Sequence, residues 1–420
     1  MQQIWRTPAV RNNILFVIAL LVIFRIAAHI PVPGVNLANL QRFLEGSQFL
    51  GILNIFSGGT MQNFSIVLMG VGPYITASII FQLLTMVVPS LEELSKEGES
   101  GQQKINMYTR LATVPLAFLQ AFGMIKLLSN PQYGILTDLS TYKMMAIMVT
   151  VTAGTVFLMW LGELITERKV GNGVSLLIFA GIVSSFPTVI QDAIVNYSPA
   201  DLYTYLVYVL VGIATIVGVV VISEGQRNIP VNYAKQIRGN RATGGAKSSL
   251  PLRLNMAGVI PIIFAISLIM FPSLIAQFFV NGTGRSASIA QAIVAALNQD
   301  GWLYAVLYFT LVVGFTYFYT AVIFHPQKMA ENLQRQGAFI PGIRPGSETT
   351  EYIGKTMNRL LLPGALFLGI IAVMPLVVNW FTGIQSLALG GTSLLIVVSV
   401  AIETTKQINA QLTMYEYDRV

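Results

Sequence analysis

The chain has 420 residues, of which 54% are hydrophobic and only 10% charged. Soluble domains carry nearer 25% charged residues, and the mean hydropathy is +0.67, so neither a disordered chain nor an ordinary soluble enzyme fits. No Cys is present, which removes disulfides, thiolate metal sites and a Cys nucleophile. Two His leave little room for a His-based metal cage, so no metal or cofactor is expected. The net charge of +7 would suggest nucleic-acid binding in a soluble protein. In a membrane protein it reports cytoplasmic loops.

A bilayer core of about 30 Å takes about 20 helical residues. Ten such runs are read in chain order, at roughly 13–33, 66–89, 107–129, 143–165, 173–194, 202–223, 254–280, 302–324, 357–382 and 389–408. The first is not read as a cleaved signal peptide. It is long, contains Arg25, and leads into Pro31 and Pro33 where a small-residue cleavage site would stand.

If the N-terminus is cytoplasmic, 20 of the 25 basic residues face the cytoplasm. The other side receives Arg42, Lys126, Lys143 and Arg285, and Arg25 lies within span 1. This bias predicts both termini inside. Two cytoplasmic loops, 224–253 and 325–356, are long and polar, and 90–106 is rich in Glu and Lys. The outer segment 34–65 contains an apolar run, Phe49 to Phe56, then Ser57-Gly58-Gly59. It fits a re-entrant helix or an amphipathic surface helix equally.

The halves share short strings. Gly173-Val174-Ser175-Leu176-Leu177-Ile178 opens span 5 and Gly391-Thr392-Ser393-Leu394-Leu395-Ile396 opens span 10, with five of six positions identical. Gly70 to Ala77 in span 2 and Gly258 to Ala265 in span 7 agree at five of eight. Both matches pair span n with span n+5. Because five is odd, paired spans cross in opposite directions, the mark of an inverted-topology repeat. Halves of 1–200 and 201–420 follow. The repeat nominates Ile75 with Ile263 and Ile178 with Ile396. Val71 with Ile75, and Val174 with Ile178, are i,i+4 pairs on one helix face. If those faces converge they form an apolar ring that blocks ions by dewetting. Taken alone, such aliphatics fit ordinary packing better. Gly70, Gly72, Pro73 and Pro261 are read as breaks in spans 2 and 7. Gln82 and Asn255 are amides in these spans, where each can satisfy the other.

No GxxxxGK[ST] motif, no HExxH and no mid-span Asp pair is present, which argues against nucleotide hydrolysis and intramembrane proteolysis. His29 and His325 sit near span ends and read as structural groups. Glu163 and Glu403 lie near cytoplasmic ends and suit helix-end roles. Arg25 is the one clear mid-span charge, and an intramembrane charge is a functional candidate. With no acidic partner in its own span, it equally suits a carbonyl.

Several strings coincide with one family. They include Asn54-Ile55-Phe56-Ser57-Gly58-Gly59, Gly72-Pro73-Tyr74-Ile75-Thr76-Ala77, Lys96-Glu97-Gly98-Glu99-Ser100-Gly101, Gly171-Asn172-Gly173, Val231-Asn232-Tyr233-Ala234-Lys235, Asn255-Met256-Ala257-Gly258-Val259-Ile260-Pro261 and Gly337 to Gly346. Long, ordered and correctly spaced over nearly the whole chain, they resemble the SecY family of protein-conducting channel subunits. The resemblance implies an all-α polytopic membrane protein with ten transmembrane helices in two inverted halves around an hourglass pore. It places a pore ring on Val71, Ile75, Val174, Ile178, Ile263 and Ile396. It places a helical plug at about 57–65, with Ser57, Gly58, Gly59, Asn63, Phe64 and Ser65. A lateral gate falls between spans 2 and 7, flanked by spans 3 and 8, at Gln82, Asn255, Pro73 and Pro261. The two long loops, with Arg238, Arg241, Lys247 and above all Arg344, become docking prongs for a ribosome or a SecA motor. SecE and SecG subunits, signal-sequence-bearing polypeptides and membrane lipids are the other implied partners. The implied location is the cell membrane, with a thylakoid membrane also open, and no catalysis is implied. An ion-coupled secondary transporter is the alternative. It also uses inverted repeats, but it needs ion-coordinating residues at midplane, where this sequence places aliphatics.

Overall fold

The computed structural model describes residues 7–45, 54, 57–129, 134–136, 140–195, 202–233, 235–238, 241–244, 247–280, 284–297, 301–382 and 390–417. Helices dominate, and each of the ten expected spans holds one. The N-terminal part contains α1 (Pro8–Ala28), α2 (Leu37–Glu45), α3 (Gly72–Val87), α4 (Pro89–Lys96), α5 (Glu99–Leu128), α6 (Thr141–Glu167), α7 (Gly173–Val195) and α8 (Leu202–Glu224). Four strands follow: β1 (Gln226–Tyr233), β2 (Lys235–Arg238), β3 (Arg241–Gly244) and β4 (Lys247–Arg253). Then come α9 (Ile260–Phe279), α10 (Arg285–Ala296), α11 (Trp302–Ile323), α12 (Pro326–Arg335), β5 (Ala338–Phe339), α13 (Ser347–Thr382) and α14 (Gly390–Tyr417).

Among the described residues, five stretches are long and apolar enough to cross a membrane: Pro8–Ala28, Glu99–Leu128, Thr141–Glu167, Trp302–Arg335 and Ser347–Val378. A sixth is the pair α3 and α4, bent by 100°. The bend has a local cause. Val88 precedes Pro89 and is extended, at φ −100° and ψ 111°, because a residue before proline is pushed out of the α region. The charged segment 90–106 is therefore helical, part α4 and part the start of α5.

The two strings of the repeat fold alike. Gly70 and Gly258 both adopt positive φ, +56° and +63°. Val71 and Val259 then cap α3 and α9 with nearly equal angles, φ −93°, ψ 4° and φ −95°, ψ −7°. Pro73 and Pro261 fall in the first turn of each helix. There a proline loses no helical hydrogen bond and its φ is preset. These prolines thus begin helices. The expected breaks within spans 2 and 7 become helix starts, preceded by irregular backbone at 66–71 and 254–259. The junction of the two expected halves, near residue 200, lies outside the described residues.

Three apolar clusters organise the bundle. The central one draws on α1, α3, α6, α7, α9, α11, α13 and α14. A second, at one end, joins α2 and the 61–69 segment to α5 and α6 through Leu40, Phe64, Met124 and Leu128. The third lies between the strands and α13.

That third cluster changes the picture of the polar loops. The described residues between 226 and 253 form antiparallel pairs, β1 on β4 in the register Gln226↔Arg253 to Asn232↔Lys247 and β2 on β3. Ile229 and Val231 alternate inward with Pro230 outward, as a half-buried strand requires. β5, from the other loop, adds Asn232↔Phe339 and Tyr233↔Ala338. The two loops are one module, packed on Ile353 of α13.

Close helix contacts depend on glycine. A Cβ on Gly154 of α6 would lie 2.0 Å from the carbonyl oxygen of Ile66, whereas one on Gly314 of α11 would meet nothing within 4 Å. Gly154→Ala should cost about 1–3 kcal/mol by overpacking. Gly314→Ala should be neutral or stabilise by up to about 1 kcal/mol through helix propensity. Thermal unfolding of the two purified variants beside the parent measures both; equal shifts would mean the α6 contact is not tight.

Candidate functional site

The six expected ring residues come from four helices and sit close to their N-terminal ends. Val71 caps α3 and Ile75 lies in its first turns; Val174 and Ile178 open α7; Ile263 opens α9; Ile396 opens α14. Five are buried, with Val71 at 3%, Ile75 at 7%, Ile178 at 1%, Ile263 at 5% and Ile396 at 1% exposed. Val174 is partly buried against the same central cluster. α3 packs on α9 and α7 on α14, so the structure gathers all six into one aliphatic region. Equivalent bonds hold the two matched helix starts: Ile75 N donates to Val71 O at 3.1 Å, and Ile263 N to Val259 O at 3.3 Å.

The segment Ser57–Ser65, mostly buried but with Gln62 exposed, is not a helix. It is a run of turns. Gly58 and Gly59 have φ +77° and +76°, and Phe64 has φ +42°. Left-handed residues cannot sit in a right-handed helix, so the expected plug helix is corrected to a coiled segment here. Gly58 touches α7 backbone to backbone: a Cβ on Gly181 would lie 2.1 Å from the Gly58 Cα. Thr60 Oγ1 bonds to Ser57 O within the segment and to Leu68 O beyond it, and Ser57 Oγ donates to Asn54 O before it. Asn63 Nδ2 donates to Ala28 O at 3.4 Å, and Ser65 bridges Pro31. The apolar run Phe49–Phe56 lies outside the described residues except Asn54.

α3 and α9 meet, and α5 and α11 flank them, as expected for a seam. Pro73 and Pro261 are buried at its helix starts. Gln82 and Asn255 do not bond to each other. Asn255 Nδ2 donates to Gly258 O at 3.2 Å. Gln82 Oε1 and Asn255 Oδ1 are buried without a hydrogen-bond donor. Two buried acceptors without donors in this region carry an energetic cost.

In the strand module, Arg238 and Arg241 are paired positions at the β2–β3 tip, and Lys247 opens β4 opposite Asn232. Arg344 is exposed on a turn whose glycines, Gly342 and Gly346, have φ +83° and +112°. The α13 start fixes its backbone: Arg344 N donates to Glu348 Oε2 at 3.3 Å and Thr349 Oγ1 to Arg344 O at 2.8 Å. Among the described residues its guanidinium has no ion-pair partner.

Two contacts escaped sequence reading, and a third, of Arg25, was left open by it. Glu163 on α6 pairs with Arg110 on α5. Gln411 on the long α14 donates to the carbonyls of Arg168 and Lys169 at 3.1 and 2.9 Å, tying the α6–α7 turn to the far end of the chain. Arg25 stands in the last turn of α1 rather than mid-span, and its Nη1 donates to Gly58 O at 2.9 Å. Of the two partners open to it, the carbonyl is the one found. His29 lies one turn on, with Nδ1 2.8 Å from Arg25 O.

A family model described as SecY matches residues 65–405. The chain is 44% identical to the protein translocase subunit SecY of Corynebacterium glutamicum, over 99% of this chain and 98% of that one. Its fold aligns with a SecY structure described as having a plug domain that stabilises the closed translocation channel, at a TM-score of 0.64 and 17% identity, over 93% and 90% of the two chains. It also aligns with the yeast Ssh1 complex bound to the 80S ribosome, at 0.64 and 12% identity, over 93% and 88%. With a relative this similar along almost its whole length, and a family model spanning most of it, the chain belongs to the SecY family.

Proposed function

We propose that this chain is the pore-forming subunit of a protein translocase. As a multi-pass membrane protein it conducts unfolded polypeptides through an hourglass and releases apolar segments sideways into the bilayer. One observation carries the reading: four helix starts, related in pairs by the repeat, bring six aliphatic side chains into one buried region. A polypeptide in transit offers unsatisfied peptide groups, which hydrocarbon does not tolerate. It needs an aqueous path, and a thin aliphatic constriction limits ion leak along that path by dewetting. The translocase naming of the relatives supports the same conclusion.

In this reading residues 57–65 are the plug and the α3–α9 seam is the lateral gate. Residues 1–200 and 201–420 are the two halves, with both termini cytoplasmic in the cell membrane. The strand module with Arg238, Arg241, Lys247 and Arg344 is the docking face for a SecA motor or a translating ribosome. Ribosome attachment of the structurally similar Ssh1 complex supports the latter. SecE and SecG complete the channel. The chain itself performs no catalysis, and direction comes from the motor or ribosome.

Exchanging Ile75, Ile178, Ile263 and Ile396 for Ser should raise resting ion conductance in planar bilayers severalfold; an unchanged conductance removes the ring. Arg344→Glu should depress motor-driven export while the channel still accumulates in the membrane, measured as export of a signal-bearing reporter; normal export removes Arg344 from the docking face. The chain has no native Cys, so Cys introduced at Gln82 and Asn255 provides a clean pair. Bridging them with a short bifunctional maleimide should block lateral release of an apolar segment, and release that continues across the bridge would place the gate elsewhere.

A further inference from the structure

Arg25 stands within one turn of the end of α1, yet it reaches across the sequence. Its Nη1 donates 2.9 Å to the carbonyl of Gly58, 33 residues away. A guanidinium carries five N–H donors, and this is its one hydrogen bond among the described residues. A cation is favoured near a helix C-terminus, and that alone would place an arginine here. It does not explain why the donor is aimed at another segment.

The acceptor is held as firmly as the donor. Gly58 is left-handed at φ +77°. A Cβ there would lie 2.8 Å from Phe24 Cζ and 3.5 Å from the Gly181 Cα. Phe24, the residue before Arg25, is buried. Gly58 is thus seated between α1 and α7, with its carbonyl on the guanidinium. The contact is part-buried, and a hydrogen bond from a charged donor is stronger than one between neutral groups.

We propose that Arg25 is the positioning residue that latches the plug segment in its seat, through a bond to the Gly58 carbonyl that exists only while the segment is seated. This rests on reading 57–65 as the plug. A contact made in one of two states stabilises that state alone. Losing a charge-assisted bond should therefore raise the unseated fraction about tenfold or more. Lysine keeps a charge but lacks the planar fork and length, so Arg25→Lys should restore part of the effect.

The test uses the channel in native membranes with its companion subunits. Thr60→Cys places a unique thiol at a buried plug position, and Thr155→Cys places one at a buried position on α6. A membrane-impermeant maleimide then reports the exposure of each. Arg25→Met should speed labelling at position 60 about tenfold, leave position 155 slow and raise resting ion leak; Arg25→Lys should fall between parent and Met. Equal rates at position 60 for parent and Arg25→Met overturn the latch, as does parallel acceleration at 155, which would mean general loosening. If Arg25→Met does not accumulate, the uncharged Arg25→Gln serves, with the same expectation and the same overturning result. Deleting residues 57–65 separates the two ideas. A leak that rises on deletion while Arg25→Met stays silent sinks the latch alone. A leak unchanged by deletion sinks the plug reading beneath it.

Discussion

An irregular backbone inside an apolar bundle must find a partner for every peptide group, because nothing in hydrocarbon will supply one. Residues 57–71 are such a stretch, and much of the structure around them answers this demand. Gly59 N donates to Asn54 O, Phe64 N to Met61 O, Ser65 N to Thr60 O, Leu68 N to Ser65 O and Gly70 N to Val67 O. The residues after α1 add Ile66 N to Ile30 O and Val32 N to Phe64 O. Side chains contribute further bonds: Asn54 Oδ1 accepts from Met61 N, Thr60 Oγ1 reaches Leu68 O, and Arg25 takes Gly58 O. A helix would have satisfied itself and needed no seat. A coiled segment is bound to its surroundings by the peptide groups it cannot pair within itself.

That coupling needs backbones in contact, and glycine permits it. Gly181 against Gly58, Gly70 against Ser57 and Gly154 against Ile66 are approaches that any Cβ would obstruct. The same irregular stretch ends where α3 begins, and its counterpart ends where α9 begins. Val71 and Ile75 on one side, and Ile263 on the other, are therefore placed by where helices start. Gln82 on α3 and Asn255 just before α9 each leave a buried acceptor without a donor.

At the other end, charge is presented on a built platform. β1 and β5 join loops separated by about a hundred residues of chain, and their buried residues dock on α13. Arg344 projects from a turn held by two left-handed glycines and by the start of α13. A fixed cation loses less entropy on binding than one on a mobile loop.

Hydropathy alone marked ten candidate spans, because a bilayer asks for about 20 apolar positions in a row; each holds a helix, and among the described residues five or six are long and apolar enough to cross. The repeat was also legible, since paired strings such as Gly70 to Ala77 and Gly258 to Ala265 fold to the same torsions, and it pointed to the aliphatic positions before any geometry was known. Local chemistry was misread where context decides it. Pro73 and Pro261 looked like breaks, yet a proline's effect depends on whether it falls inside a helix or in its first turn. Paired left-handed glycines turned an expected plug helix into coil. The joining of the two loops into one module was hidden because β5, which pairs with β1, lies far along the chain. The roles of Arg25, Glu163 and Gln411 came only from tertiary structure: Arg25 bonds to a carbonyl 33 positions away and Gln411 to carbonyls more than 240 away. Composition records that such a charge or amide exists. Which group it faces is settled by packing, and packing is a property of the whole chain.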